Sequence, residues 1–355
     1  MFGAADNGSG EEQEAISLAA GQGRADSPAA RFRAFWQGQL EGPLVALWRH
    51  FPGDDLASPE ALAAAHARWY RRFPFDFLKV TPAAGSLAQA WGLTVEPTEV
   101  DELGVYARRF PVVHEAADWR GIEPVDPTQG FLGDQLRVLQ LLRRDLGPDV
   151  PLVATLFSPL SAAAALSGSG VYRHLAEDPE AVHQGLRAIT ETIAAFARQV
   201  YEAGADAVFY STLSATAQHI SREDFQTFGR PYDLQVLEAA GAGPLILHIH
   251  GEDCYLDELL DYPVQAFNWH DRRVGPPLAE VRERTDRVLV GGINDHGVIA
   301  SGTPAEVAAE IADARRQVPD GRLIVAPGCV IPVDCPDANL DAAVQAVRGQ
   351  AGTRR

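Results

Sequence analysis

Eight short apolar runs recur along the chain, most of them followed by a segment with helix signals, and this rhythm limits the fold more tightly than any other feature. The runs are residues 43–48 (PLVALW), 75–81 (FDFLKVT), 151–157 (PLVATLF), 205–211 (ADAVFYS), 245–251 (LILHIHG), 265–269 (QAFNW), 287–293 (RVLVGGI) and 323–326 (LIVA). Runs of this length with apolar residues at odd and even positions suit strands buried on both faces, as parallel strands are. Between them lie helix starts. Ser58-Pro59-Glu60 and Asp178-Pro179-Glu180 place a capping side chain before a proline at the first helical position. Ser221–Asp224 resembles a capping box, and Thr303-Pro304-Ala305-Glu306 is a full one. Helices are predicted over 29–40, 59–72, 83–92, 131–146, 179–202, 304–316 and 339–348. Strands alternating with helices make a parallel α/β fold, and eight strands favour a closed (β/α)8 TIM barrel over an open doubly wound sheet. No glycine-rich phosphate fingerprint follows the first strand, which argues against dinucleotide binding.

The rhythm has two interruptions. Residues 1–28 are rich in Gly, Ala, Ser and acids without an apolar period, and read as a disordered or loosely attached tail. The barrel domain then spans 29–355, with helix 29–40 as an N-terminal extension. Residues 93–130, between strands 2 and 3, mix Pro, Glu, Asp and Val irregularly and read as an excursion, with a hairpin near 105–113. The formal net charge of −18 argues against a nucleic acid or an anionic membrane as partner and leaves a small-molecule substrate. Three cysteines, an odd and sparse set, point to a reducing, cytoplasmic setting. No apolar run reaches the roughly 18 residues of a membrane span, and no secretory leader is visible.

In a barrel of this kind chemistry sits at the C-terminal ends of the strands. Those ends supply Arg49 and His50, Lys79 and Thr81, Ser158, Tyr210 and Ser211, His248 and His250, Asn268 and His270, Asn294 and Asp295, and Cys329. His248 and His250 are two apart on one strand and therefore share a face. With Cys329 they form a His2Cys donor set, which suits zinc with one position open for water or a thiol. The competing reading makes one histidine a hydrogen-bonded core residue and Cys329 an inert small hydrophobe. Cys254 and Cys335 lie in turn-like surroundings and read as incidental. Arg49 and Lys79 suit an anionic substrate group, or else ion pairs with Asp76, Asp54 or Asp55. Tyr210, Ser211 and Asn268 are candidates to bind substrate. His270 is a candidate to orient it, or a capping residue.

Several stretches resemble the uroporphyrinogen decarboxylase superfamily: GADAVFYS at 204–211, FGRPY at 228–232, VLVGGIND at 288–295 and APGCVIPVDCPDANL at 326–340. That superfamily includes the decarboxylase of haem biosynthesis and the zinc-dependent corrinoid and coenzyme M methyltransferases. The resemblance spans about residues 43–348 and implies a (β/α)8 barrel with a cleft at the strand ends, often in a homodimer. Arg49 and Ser211 fall on residues of the decarboxylase's substrate site. Its catalytic aspartate is missing from FLKVTP, where Val80 or Thr81 stands. Its second N-terminal arginine is lost within RHFPGDD, its tyrosine falls near Ala165, and its C-terminal Gly-His is Gly328-Cys329. The methyltransferase branch carries His-x-Cys on strand 5 and Gly-Cys after strand 8. Here these are His248-Ile249-His250 and Gly328-Cys329, so two of three ligands match and an imidazole replaces a thiolate. The resemblance therefore implies zinc at His248, His250 and Cys329 and methyl transfer to a thiol or from a corrinoid on a partner protein, with Arg49, Lys79, Ser211 and His270 acting at the reaction centre. A metal-free decarboxylase of a tetrapyrrole or smaller acid is the alternative, and a non-catalytic ligand-binding barrel the third.

Overall fold

A computed structural model describes residues 27–40, 42–82, 87–107 and 109–349. Eight parallel strands, β1 (Leu44–Val45), β2 (Leu78–Val80), β5 (Leu152–Phe157), β6 (Ala207–Thr212), β7 (Leu245–Ile249), β8 (Ala266–Trp269), β9 (Val288–Ile293) and β10 (Leu323–Pro327), form one sheet in the order β1-β10-β9-β8-β7-β6-β5-β2. Each of the eight predicted runs supplies one strand. From β2 onward successive strands of this sheet are neighbours in it, and the first strand pairs with the last, so the sheet curls into the expected barrel, open between β1 and β2.

Its seam, between β1 and β2, has no ladder and is bridged by Asp76, through its backbone and its side chain. Asp76 donates its N–H to the Val45 carbonyl (2.9 Å), and its carboxylate accepts the Val45 N–H (2.8 Å). Arg31 (3.1 Å) and Arg348 (3.6 Å) neutralise that buried carboxylate from outside. A buried carboxylate needs such partners to avoid a large desolvation cost. Asp76 is thus committed to the seam and to neither Arg49 nor Lys79.

The predicted caps form. The Ser58 hydroxyl accepts from Ala61 N–H and opens helix Pro59–Arg72; Asp178 accepts from Ala181 N–H and opens Pro179–Glu202. Thr303 and Glu306 make the reciprocal capping box of Pro304–Gln317. The N-terminal helix is Pro28–Trp36, shorter than predicted because the chain turns through Gly38 in the left-handed region (φ 69°). It packs on the barrel floor, Phe32 edge-on to Phe77 at 5.7 Å and Ala29 N–H on the Asp149 carbonyl. The tail assigned to 1–28 lies outside the described residues except for Ser27 and Pro28, which cap and begin this helix. Within the predicted helix 83–92 only the 3-10 turn Leu87–Trp91 falls in the described residues.

The excursion after β2 carries the hairpin β3 (Thr94–Val95) with β4 (Arg109–Phe110). It is fastened to the barrel mouth. The Tyr106 hydroxyl donates to Asp55 (2.6 Å), and Val333 N–H donates to the Glu102 carbonyl (3.0 Å). Among the described residues no helix is long and apolar enough to cross a membrane.

Candidate metal centre and cavity

The strand ends and the excursion enclose a cavity of about 640 Å³. Its wall includes Trp48, Lys79, Thr155, Phe209, Ser211, His248, His250 and Cys329. A volume of this order suits a small organic molecule.

His248 and His250 leave the end of β7 on one face, as their spacing requires. Cys329 follows β10, and Gly328 lets it approach: a Cβ there would stand 2.9 Å from the His270 Cα and 3.0 Å from the Trp269 carbonyl oxygen. One donor atom from each of His248, His250 and Cys329 lies within 4.8 Å of the others, and Cys329 Sγ is 3.6 Å from His250 Nδ1. Around a tetrahedral zinc ion, bonds of about 2.1 Å to nitrogen and 2.3 Å to sulfur separate the two donors by roughly 3.6 Å. The residues fit a metal ion.

Their protonation fits as well. Asn268 Nδ2 donates to the carbonyls of Val290 (2.8 Å) and Pro327 (3.2 Å), which fixes the amide orientation. Asn268 Oδ1 is therefore an acceptor, and His248 Nδ1 donates to it at 2.6 Å. That leaves the His248 Nε2 lone pair for a ligand bond, the arrangement that second-layer partners impose on metal-binding histidines. Burial, then the neighbouring imidazoles His250 and His270, pushes His248 well below its ordinary range. Burial, then His270, brings His250 down to about 4. Both rings are neutral at pH 7. Burial, then Asp295, raises the Cys329 thiol to about 11, so without a cation beside it the sulfur keeps its proton.

Behind these three stands a second group. His270 Nε2 is 3.3 Å from His250 Nδ1, and His270 Nδ1 faces Arg273 (3.1 Å) and Asp295 (3.5 Å). Burial acts to raise Asp295, but His270, Arg273 and His296 outweigh it, and its carboxyl sits below the usual range. Asp295 was legible only as a polar residue at a strand end, with no signal that it backs His270.

The other predicted residues divide by strand register. Lys79 and Ser211 line the cavity. Tyr210 does not: Phe209 and Ser211 take the inner face, and the Tyr210 hydroxyl donates to Asp233 (2.7 Å) in the surrounding helix layer. Arg49 does not line the cavity either. Trp48 and His50 line the cavity, while Arg49 lies outside it, its guanidinium over the Trp69 and Phe51 rings and bonded to the Val333 carbonyl. Asn268 and His270 stand behind the cavity wall. Cys254 donates to the Gly251 carbonyl (3.0 Å), and Cys335 is buried apart from the cavity. Unforeseen in the sequence is a hydroxyl cluster on the far wall, in which Tyr172 bonds Ser214 (2.8 Å) and stacks on His219 (5.2 Å between centroids).

The sequence profile of the uroporphyrinogen decarboxylase (URO-D) family matches residues 54–350. A methylcobamide:CoM methyltransferase (MtbA) of Methanosarcina acetivorans is 24% identical over 284 residues, 78% of each chain. A uroporphyrinogen decarboxylase of Chlorobium limicola is 29% identical over 252 residues, 64% of this chain and 66% of that one. A solved methyltransferase from Methanosarcina mazei superposes with a TM-score of 0.78, covering 92% of this chain and 99% of that one at 19% identity, so the barrel is shared.

Proposed function

The chain belongs to the uroporphyrinogen decarboxylase family, and we propose that within it the protein is a zinc-dependent methyltransferase that methylates a small thiol from a corrinoid carried by a partner protein. The observation that carries this reading is the convergence of His248, His250 and Cys329, from two remote strands, onto one point of the cavity wall. The matches to methylcobamide:CoM methyltransferases support it.

His248, His250 and Cys329 would hold the ion. Bound zinc lowers the pKa of a coordinated thiol, which makes a thiolate available at neutral pH. The rest falls to the chain itself. Burial keeps both imidazoles neutral, and Asn268 fixes the donor nitrogen of His248. Trp48 and Phe209, edge-on at 5.3 Å, give the cavity an apolar wall. Ser211 is placed to orient the acceptor. In the proposed transfer the acceptor sulfur would gain a bond to the methyl carbon as that carbon's bond to the corrinoid breaks, the corrinoid leaving with the electron pair. Metal-free decarboxylation finds less support, because Arg49, on which it leans, lies outside the cavity.

Zinc analysis and a demethylation assay test the reading together. Protein purified without chelator is expected to hold close to one zinc per chain and to demethylate methylcobalamin in the presence of a thiol. Failure to take up zinc on reconstitution would overturn it.

A further inference from the structure

The β1–β2 side of the cavity carries polar groups that the fold leaves without partners. Lys79, on β2, is 5% exposed and Thr81, the residue after its end, 3% exposed, and both face the cavity. The Lys79 ammonium lies over the rings of Phe209 (4.5 Å) and Trp48 (5.6 Å), with no carboxylate beside it among the described residues. The Thr81 hydroxyl is buried and makes no hydrogen bond among the described residues. Its backbone is pinned in place, because Thr81 N–H donates to His66 Nε2 (2.9 Å) while His66 Nδ1 serves the Leu62 carbonyl (3.0 Å). Among the described residues no carboxylate is paired with the lysine, and Asp55 accepts from the Tyr106 hydroxyl. Asp76 is spent on the seam and Asp54 pairs with Arg68. The hairpin adds Arg109 to the same cavity.

The chain as a whole has 48 acidic against 30 basic residues, yet the described cavity wall holds Lys79 and Arg109 and no Asp or Glu. An acidic protein that lines its cavity with cations and keeps acids out favours an anionic ligand by electrostatics. A buried ammonium and a buried hydroxyl without partners are costly unless a bound molecule satisfies them. His50, on the same side, is neutral, since burial and then the Lys79 charge bring its pKa down to about 3, so it adds no charge for the anion.

The geometry points to an oxyanion subsite formed by Lys79 and Thr81, with Arg109 at its mouth, that selects substrates carrying a carboxylate or a similar anionic group at the end remote from the reacting atom. This rests on the methyl-transfer reading only for which end of the ligand reacts; the subsite itself is independent of the metal.

Binding separates the two. In zinc-loaded full-length protein, 3-mercaptopropionate is expected to bind roughly 10- to 100-fold more tightly than its neutral amide, the scale of a charge-assisted hydrogen bond. Lys79→Met is expected to erase the preference and leave the amide's affinity within twofold. Thr81→Val, a milder change, should reduce the preference several-fold. In zinc-free protein, sulfate or phosphate is expected to shift the Lys79 side-chain resonances, and neither anion should bind Lys79→Met. Equal affinity for acid and amide in the wild type, or a preference that survives Lys79→Met, overturns the subsite. Anion binding without zinc uptake would uphold the subsite and remove the methyl-transfer reading. Zinc uptake with thiol binding blind to charge would do the reverse.

Discussion

The two sides of the cavity are built on opposite rules. On the β7–β8–β10 side the candidate ligands stand among groups that are themselves held: Asn268 behind His248, and beside His250 the imidazole of His270, which faces Asp295 and Arg273. On the β1–β2 side the Lys79 ammonium lies over aromatic rings with no carboxylate paired to it, and the Thr81 hydroxyl has no hydrogen-bond partner, among the described residues. A metal ion demands donors held at fixed angles and distances, and backing groups supply that stiffness. An organic ligand brings its own hydrogen-bonding groups, so a wall meant for one can wait unsatisfied. The difference teaches which end of a substrate each side receives.

The sharpest way to break this comparison is to remove a ligand from the backed side. Cys329→Ala deletes the only thiolate of the donor set. Zinc affinity is expected to fall more than 100-fold, beyond the 10- to 100-fold typical of losing a backing group, and thiol-dependent demethylation with it. Zinc-edge absorption on the variant checks this. A retained nitrogen-and-sulfur coordination sphere would remove Cys329 from the site.

The unbacked side makes a prediction of opposite sign. Burial, partly offset by Cys329, brings Lys79 from 10.5 down to about 7. The folded pKa lies below the unfolded one, so burial penalises the charged form. The penalty is fully present below pH 7, shrinks as pH rises, and vanishes above the unfolded value near 10.5. Lys79→Met should therefore stabilise the ligand-free protein, by on the order of 4 kcal/mol below pH 7, with the gain fading toward pH 10. Denaturant unfolding across that range measures it. Anion binding should weaken above pH 7 in the wild type, as the ammonium loses its proton. His50, His248 and Cys329 face the same space, but both imidazoles are already neutral there and the thiol titrates near 11. A destabilised Lys79→Met would mean that the lysine has a partner within the fold.

How far the sequence foretold these two sides follows from what strand patterns can encode. The eight runs, the Ser58, Asp178 and Thr303 caps and the His248-x-His250 pair are local signals, and each took the predicted form. Cys329 was legible because a glycine-cysteine step follows an apolar run and the fold class specifies where such steps point. Arg49 and Tyr210 lie outside the cavity for a common reason. Parallel strands are apolar on both faces, so the pattern cannot say which face is inner, and a one-residue error exchanges cavity for helix layer. Trp48 and His50 took the inner face where Arg49 was expected, and Phe209 and Ser211 took it where Tyr210 was expected. The tie between Asp295 and His270 joins residues from two separate strand ends, and local spacing carries no trace of it.

A smaller effect sharpens the backed side. Asn268→Ala removes the acceptor that holds the His248 tautomer but touches no ligand atom. Zinc affinity should fall 10- to 100-fold, the range for second-layer partners, with coordination number unchanged. Asn268→Asp keeps an acceptor and should restore most of it. Equal zinc affinity in wild type and Asn268→Ala would mean that His248 needs no such support.

The smallest effect on the site comes from the residue beside Ser211. The Tyr210 hydroxyl donates to Asp233 Oδ1 (2.7 Å) and Tyr262 donates to Oδ2 (2.9 Å), outside the cavity. Burial raises Asp233 to about 7 even against these two bonds. Its folded pKa is above the unfolded value, so this carboxyl costs stability as pH climbs from about 4 through 7. Tyr210→Phe takes away one of the donors that hold the anion, so its cost must grow with pH. About 1 kcal/mol is expected at pH 5, where the proton is mostly present, and about 3 kcal/mol at pH 8, where a buried carboxylate has lost a donor. Zinc content and discrimination between acid and amide should not change. If Tyr210→Phe altered either, the inner face of β6 would be the one that carries Tyr210, and the register that sets Ser211 and Phe209 into the cavity would have to be reversed.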